Sequence, residues 1–160
     1  MEAYSKKVMK YFLHPKNVGK ISNPDGVGKV GNIRCGDVMY LYLKIEKNKI
    51  KDVKFETFGC IAAIATSSYI TELVKGKSIE QALKITKDDI IKGLGGLPPI
   101  KIHCSILAID ALIEAVYDYL SKNNLPISEN LVKEHERIKK TLEMVEDKHK
   151  ELVEIEESVL

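Results

Sequence analysis

The sequence predicts an α+β fold: a small antiparallel sheet of about three strands packed against helices, with a C-terminal helical extension. Three observations predict it. Two β-prone apolar runs, Val38–Ile45 and Ile50–Phe58, flank the short polar stretch Glu46-Lys47-Asn48-Lys49, the arrangement of an antiparallel hairpin. After Cys60 the apolar spacing changes from strand-like to helical. Beyond Asn123-Asn124-Leu125-Pro126 an apolar stripe steps by alternating four and three residues to near the end of the chain.

Each element follows in order. Residues 3–13 read as a helix with Tyr4, Val8, Tyr11 and Phe12 near one face, ended at His14 because the residue before a proline avoids helical geometry. His14 itself reads as a loop residue. Residues 19–32, rich in glycine and asparagine, form a loop leading into a strand near Val27–Val30. In the second arm of the hairpin Val53, Phe55 and Thr57 alternate with Lys54, Glu56 and Phe58. Ile61–Lys75 is helical and stopped by Gly76, and Ser78-Ile79-Glu80-Gln81 has the spacing of a capping box. Lys87–Lys92 makes another short helix before Gly93, Gly95 and Gly96. Leu97–Lys101 is expected to be extended, since successive prolines fix φ and donate no amide. A long amphipathic helix runs from about Cys104 to Lys122. In the last helix, capped by Ser128, the stripe is Leu131, His135, Ile138, Leu142, Val145, His149 and Leu152. It can pack on the body or pair with a second copy as a homodimer. His135 and His149, 14 residues apart and so about 21 Å apart on one helix, are expected to pack rather than share a metal.

The chain divides into a body, residues 1–124, and a charged extension, residues 125–160. Of its 160 residues, 44% are hydrophobic, enough for a real core. The net charge of +2 argues against a dedicated nucleic-acid binder. Residues 126–160 carry 6 basic and 10 acidic side chains, so the extension is acidic and the body mildly basic. No segment has the run of apolar residues that a membrane span needs, and the N-terminus shows no apolar signal core. The odd cysteine count then favours free or metal-bound thiols in a reducing cytoplasm.

The chemistry concentrates at three cysteines separated by 25 and 44 residues: Cys35, Cys60 and Cys104. None forms the close pair of a zinc knuckle, so only the fold can gather them. Cys35 lies in a glycine-bounded loop with Asp37 two residues on; in an extended segment the two side chains face one way. Cys60 follows Gly59 at a helix start, and Cys104 stands near another. Orphan amides and helix dipoles there are expected to lower thiol pKa values and leave all three nucleophilic. Three soft thiolates with a carboxylate and the His103 imidazole make a soft-metal site with one weak corner.

The motifs resemble those of the IscU/NifU-type iron–sulfur cluster assembly scaffolds, from about Tyr4 to Leu120. Tyr4-Ser5 through His14-Pro15-Lys16-Asn17-Val18-Gly19 matches the family's opening. Gly31-Asn32-Ile33-Arg34-Cys35-Gly36-Asp37 and Thr57-Phe58-Gly59-Cys60, followed by Ala62–Ser68, match the first and second cysteine motifs. Leu97-Pro98-Pro99-Ile100-Lys101-Ile102-His103-Cys104-Ser105 matches the third. The resemblance implies a non-enzymatic scaffold that receives sulfur from a cysteine desulfurase, assembles a cluster, most simply [2Fe–2S], and passes it to recipient apo-proteins. It implies Cys35, Cys60 and Cys104 as ligands, Asp37 or His103 as the fourth, Cys104 as persulfide acceptor, and Leu97–Lys101 as the segment an Hsp70-type chaperone recognises. Ile33 stands where many members carry proline, and no cysteine follows Cys104, which excludes a permanent second cluster. The Cys60–Cys104 interval also lacks the insertion of zinc-holding SufU-type relatives.

Two other readings use the same residues. A zinc-bound regulator or structural domain would give no sulfur-to-iron charge-transfer bands on reconstitution. A cysteine-nucleophile enzyme would depend on Cys104 alone, and no Cys/His/Asn triad motif supports it. Lys101 is expected beside the site, and Tyr4 is expected to pack.

Overall fold

The computed structural model describes residues 4–159. Its elements are α1 (Lys6–Leu13), β1 (Gly26–Gly31), β2 (Val38–Glu46), β3 (Lys49–Phe58), α2 (Ile61–Val74), α3 (Ile79–Ala82), α4 (Lys87–Gly93), a 3-10 turn (Pro99–Lys101), α5 (Ile102–Lys122) and α6 (Glu129–Val159). The α+β expectation holds. The first helix begins after Ser5, whose hydroxyl accepts from the Val8 amide as a cap; the expected start at Ala3 lies outside the described residues.

The strands form one antiparallel meander, β1-β2-β3. Lys47 and Asn48 at the β2–β3 turn both take positive φ, as a tight primed hairpin turn requires. Register runs from Val38 opposite Phe58 to Glu46 opposite Lys49, with a shift at Lys44/Ile45. Met39, Leu41 and Leu43 from β2, and Ile50, Val53 and Phe55 from β3, are buried. Helices α2 and α5 cover the sheet. β1 and α5 approach closely because β1 is stripped of side chains where they meet: a Cβ on Gly28 would sit 2.2 Å from the Ala111 carbonyl oxygen.

Helix α2 is buried on almost every side, from Ala62 and Ala63 to Ile70, Thr71 and Val74. Its small residues let it lie between α1, α5 and β3, and its threonine hydroxyls bond within the helix: Thr66 Oγ1 donates to the Ala62 carbonyl at 2.8 Å and Thr71 Oγ1 to the Ser68 carbonyl at 2.6 Å. The expected capping box at Ser78–Gln81 is present, and Thr86 with Asp89 forms a second.

The extended reading of Leu97–Lys101 needs correction. Pro98 is extended, at φ −54° and ψ 140°, but Pro99–Lys101 turns into a 3-10 helix that runs straight into α5. A proline at the first helical position lacks an N–H that would be unpaired there anyway, so Pro99 starts the turn rather than preventing it. α5 therefore begins at Ile102, and Cys104 sits inside its first turn.

Helix α6 folds back on the body. Leu131, Ile138 and Val145 are buried against it. The His135 ring stacks on Tyr117 at 3.8 Å and its Nδ1 lies 2.8 Å from the Glu114 carboxylate. Arg137 donates to Asp110 at 2.8 Å, and Lys29 pairs with Glu146. The stripe thus takes the first of its two expected courses, packing on its own body from Leu131 to Val145. Among the described residues no helix is long and apolar enough to cross a membrane.

Candidate metal centre

Three segments meet at one end of the sheet: the β1–β2 loop, the β3–α2 junction and the start of α5. The loop is closed by its own backbone. The Asn32 amide donates to the Asp37 carbonyl at 2.9 Å, the Gly36 amide donates to the Asn32 carbonyl at 2.8 Å, and the Arg34 amide donates to Asn32 Oδ1 at 2.9 Å. Gly36 takes φ +70°, a left-handed conformation that glycine adopts without strain. The segment is therefore a turn, not the extended run that would set Cys35 and Asp37 side by side. Cys35 is exposed on it, while Asp37 is turned inward and only 8% exposed.

Cys60 is the N-cap residue of α2 and Cys104 lies 1% exposed in α5; their sulfurs are 3.9 Å apart. A carboxylate oxygen of Asp37 joins them, so that one donor atom from each of Asp37, Cys60 and Cys104 lies within 4.8 Å of the others. Gly59 makes room for this. A Cβ there would sit 2.6 Å from the Ala63 Cβ and 3.0 Å from Asp37 Oδ2. That Oδ2 is buried with no hydrogen-bond partner, and so is Nε2 of His103. Buried polar atoms are rarely left unpaired, and both are free to donate a lone pair to a metal. His103 is not one of the close trio, and Cys35 stays at its rim. Even so, the Asp37 backbone amide and carboxylate both act on the Cys35 thiol.

The expected lowering of the thiol pKa values is overturned at two of the three cysteines. Burial pushes the Cys104 thiol up, and the neighbouring Cys60 adds to it. Desolvation carries the Cys35 thiol up to about 11, outweighing the Asp37 backbone amide that favours the thiolate. Without a cation in their midst, loss of solvent around these thiols, with neighbouring negative charge adding to it, outweighs the groups that favour the thiolate. A bound metal reverses this, because it binds thiolates.

Two neighbours complete the setting. Lys101 lies close enough to Cys60 that the thiolate's charge holds its ammonium protonated to higher pH, which places it beside the site as expected. Tyr4 packs with Leu97 against Ala62, Ala63 and Cys104. Its phenol is pushed up by burial and then by Cys60, so it too borders the site, a position that an aromatic in a short N-terminal run does not announce. Of the remaining histidines, His149 was expected only to pack, yet its Nε2 lies over the Cys35 loop, 3.2 Å from where a Cβ on Gly36 would be.

An α+β body gathers two thiols and a carboxylate from distant segments, with a third thiol at the rim, a donor set that could hold a soft metal. The model of the NifU-like N-terminal domain matches residues 3–126, and the chain belongs to that family. It is 60% identical over 120 residues to iron–sulfur cluster assembly scaffold protein IscU 1 of Archaeoglobus fulgidus, an alignment covering 75% of this chain and 78% of that protein. It is 53% identical over 126 residues to the IscU scaffold protein of Buchnera aphidicola, covering 76% of this chain and 98% of that one, which leaves the relative no length for a counterpart of α6. The crystal structure of the N-terminal part of a NifU-like protein from Brucella abortus shares the fold, with a TM-score of 0.61 at 20% identity over 74% of this chain and 94% of that one.

Proposed function

We propose that this protein is a scaffold on which a transient iron–sulfur cluster, most simply [2Fe–2S], is built from iron and desulfurase-derived sulfur and then passed to apo-proteins. The observation that carries this reading is the trio of Asp37, Cys60 and Cys104 with an unpaired buried carboxylate oxygen. Thiolates anchor iron firmly and a carboxylate oxygen weakly, which suits a site that must let its cargo go. Cys35, Cys60 and Cys104 are the thiolate ligands. Asp37 is the weak fourth, and His103, with its orphaned Nε2, is the alternate. Cluster and iron are cargo, and zinc occupies the same donors when iron is scarce.

Sulfur arrives as the sulfane atom of a desulfurase persulfide. The Cys104 thiolate attacks that atom, a new sulfur–sulfur bond forms on Cys104, and the donor cysteine leaves as its thiolate. No substrate is turned over, so the protein is a carrier rather than an enzyme. Because Cys104 is 1% exposed, delivery requires the cover of Tyr4 and Leu97 to part. Ile100 on the 3-10 turn is 76% exposed and gives an Hsp70-type chaperone an apolar side chain to grip within Leu97–Lys101. Residues 1–124 form the scaffold domain and 125–160 an appended helix, in a protein working in the cytoplasm.

The test is anaerobic purification followed by iron, acid-labile sulfide and zinc analysis, with reconstitution from iron and a sulfide source. The expected result is stoichiometric iron and sulfide with visible charge-transfer bands, lost in Cys35→Ser, Cys60→Ser and Cys104→Ser alike. Zinc alone, with no bands after reconstitution, overturns the reading.

A further inference from the structure

Helix α6 lies outside the residues matched by the family model, yet it reaches the loop that carries Cys35. A cavity of about 210 Å³ separates it from the β1–β2 loop. On the loop side it is lined by Ile33, Cys35 and Gly36, and on the helix side by Val145, His149 and Leu152. Cys35 thus lines this cavity, while Asp37, which acts on its thiol, belongs to the trio. The cations Arg34 and Lys148 also border the cavity, which suits an occupant that carries thiolate and sulfide charge.

The helix is held there. Val145 is 1% exposed, and the space above Gly31 is filled by Leu142 and Val145, 3.3 Å from where its Cβ would be. Lys29 at the same end of β1 pairs with Glu146. His149 stands one turn beyond Val145 on the same stripe; it is exposed, and its Nε2 lies over the Cys35 loop. Gly36 has no Cβ and takes φ +70°, so the loop yields the space in which Nε2 sits.

We propose that His149 is a metal ligand contributed by α6. Its imidazole binds the iron held by Cys35, competing there with Asp37 as an exchangeable corner of the cargo. Imidazole suits iron and zinc, and a ligand carried on an added helix can be withdrawn without disturbing the three cysteines. The inference rests on the scaffold reading for its cargo, but not for its test.

With Zn(II) alone as the probe, the ring nitrogens of the four histidines are followed by NMR in the full chain, His149 being assigned through His149→Gln. The expected result is that Zn(II) shifts the His149 Nε2 resonance and that Cys35→Ser abolishes the shift. A His149 ring that does not respond, or that responds equally in Cys35→Ser, overturns the proposal. In cluster-loaded protein, reduced and examined by EPR-detected nitrogen hyperfine coupling, the coupling should persist in His103→Gln and vanish in His149→Gln. The reverse pattern assigns the nitrogen to His103 and overturns it. Should no cluster form in any variant, the scaffold reading fails while the Zn(II) experiment still decides the role of His149.

Discussion

In the proposed scaffold, Asp37 is the residue on which release turns. It is buried, one oxygen lacks a partner, and it shares space with two sulfurs. Replacing it removes the hardest and weakest donor, so Asp37→Ala is expected to slow cluster loss at least about threefold. Anaerobic transfer assays check this, and equal or faster loss sinks the idea. Gly59 is expected to tolerate no side chain: Gly59→Ala drives a methyl against Ala63 and Asp37 and should cost about 1–3 kcal/mol, the usual range for overpacking, read as a lower urea midpoint. Cys35 gives a pH signature in metal-free protein. Its raised pKa means that the reactive thiolate appears at higher pH, so alkylation of Cys35 should keep accelerating up to about pH 11 instead of levelling near the ordinary thiol value of 9.0. The cysteines and Asp37 stood out in the sequence through their flanking glycines and helix starts and, chiefly, through the resemblance to the cluster-scaffold family; the fold gathers Asp37, Cys60 and Cys104. Tyr4 and His149 were not legible as site neighbours, because each reaches the site from an element whose docking is set by tertiary packing.

At the scale of elements, α6 is joined to α5 by polar contacts as well as by its stripe. Burial raises the pKa of Asp110, and Arg137 opposes that by donating to it. Arg137 is half exposed, so Arg137→Ala, which leaves this carboxylate without its cation, is expected to cost about 0.5–1 kcal/mol after solvent screening. Denaturant unfolding measures it, and Asp110→Asn in the same background should restore part of the loss. The strands and helices were legible almost throughout, because strand alternation and the heptad stripe are strong periodic signals. Two elements read less well. The Pro98-Pro99 segment reads as wholly extended because proline excludes helix interiors, whereas Pro99 occupies a helix start, where its constraint is harmless. The near-total burial of α2 was muted because alanine, serine and threonine carry little apolar signal, although they are what allows close packing.

For the whole molecule, the donors come from the β1–β2 loop, the start of α2 and the first turn of α5, so the complete site exists only when sheet and helices are assembled. Metal bound only by the native state adds to its stability. Zn(II) at about a hundred times its dissociation constant should stabilise the protein by about 2.7 kcal/mol. Differential scanning calorimetry should then show a melting temperature raised by roughly 5–10 °C, with the shift abolished by chelation. No single stretch of sequence could display this, since the cysteines stand 25 and 44 residues apart and only topology brings them together. The same scattering has a protective side. A nascent, damaged or misfolded copy presents isolated thiols that cannot grip iron together, so loading discriminates sound chains from faulty ones, and redox-active metal is entrusted only to molecules already fit to carry it.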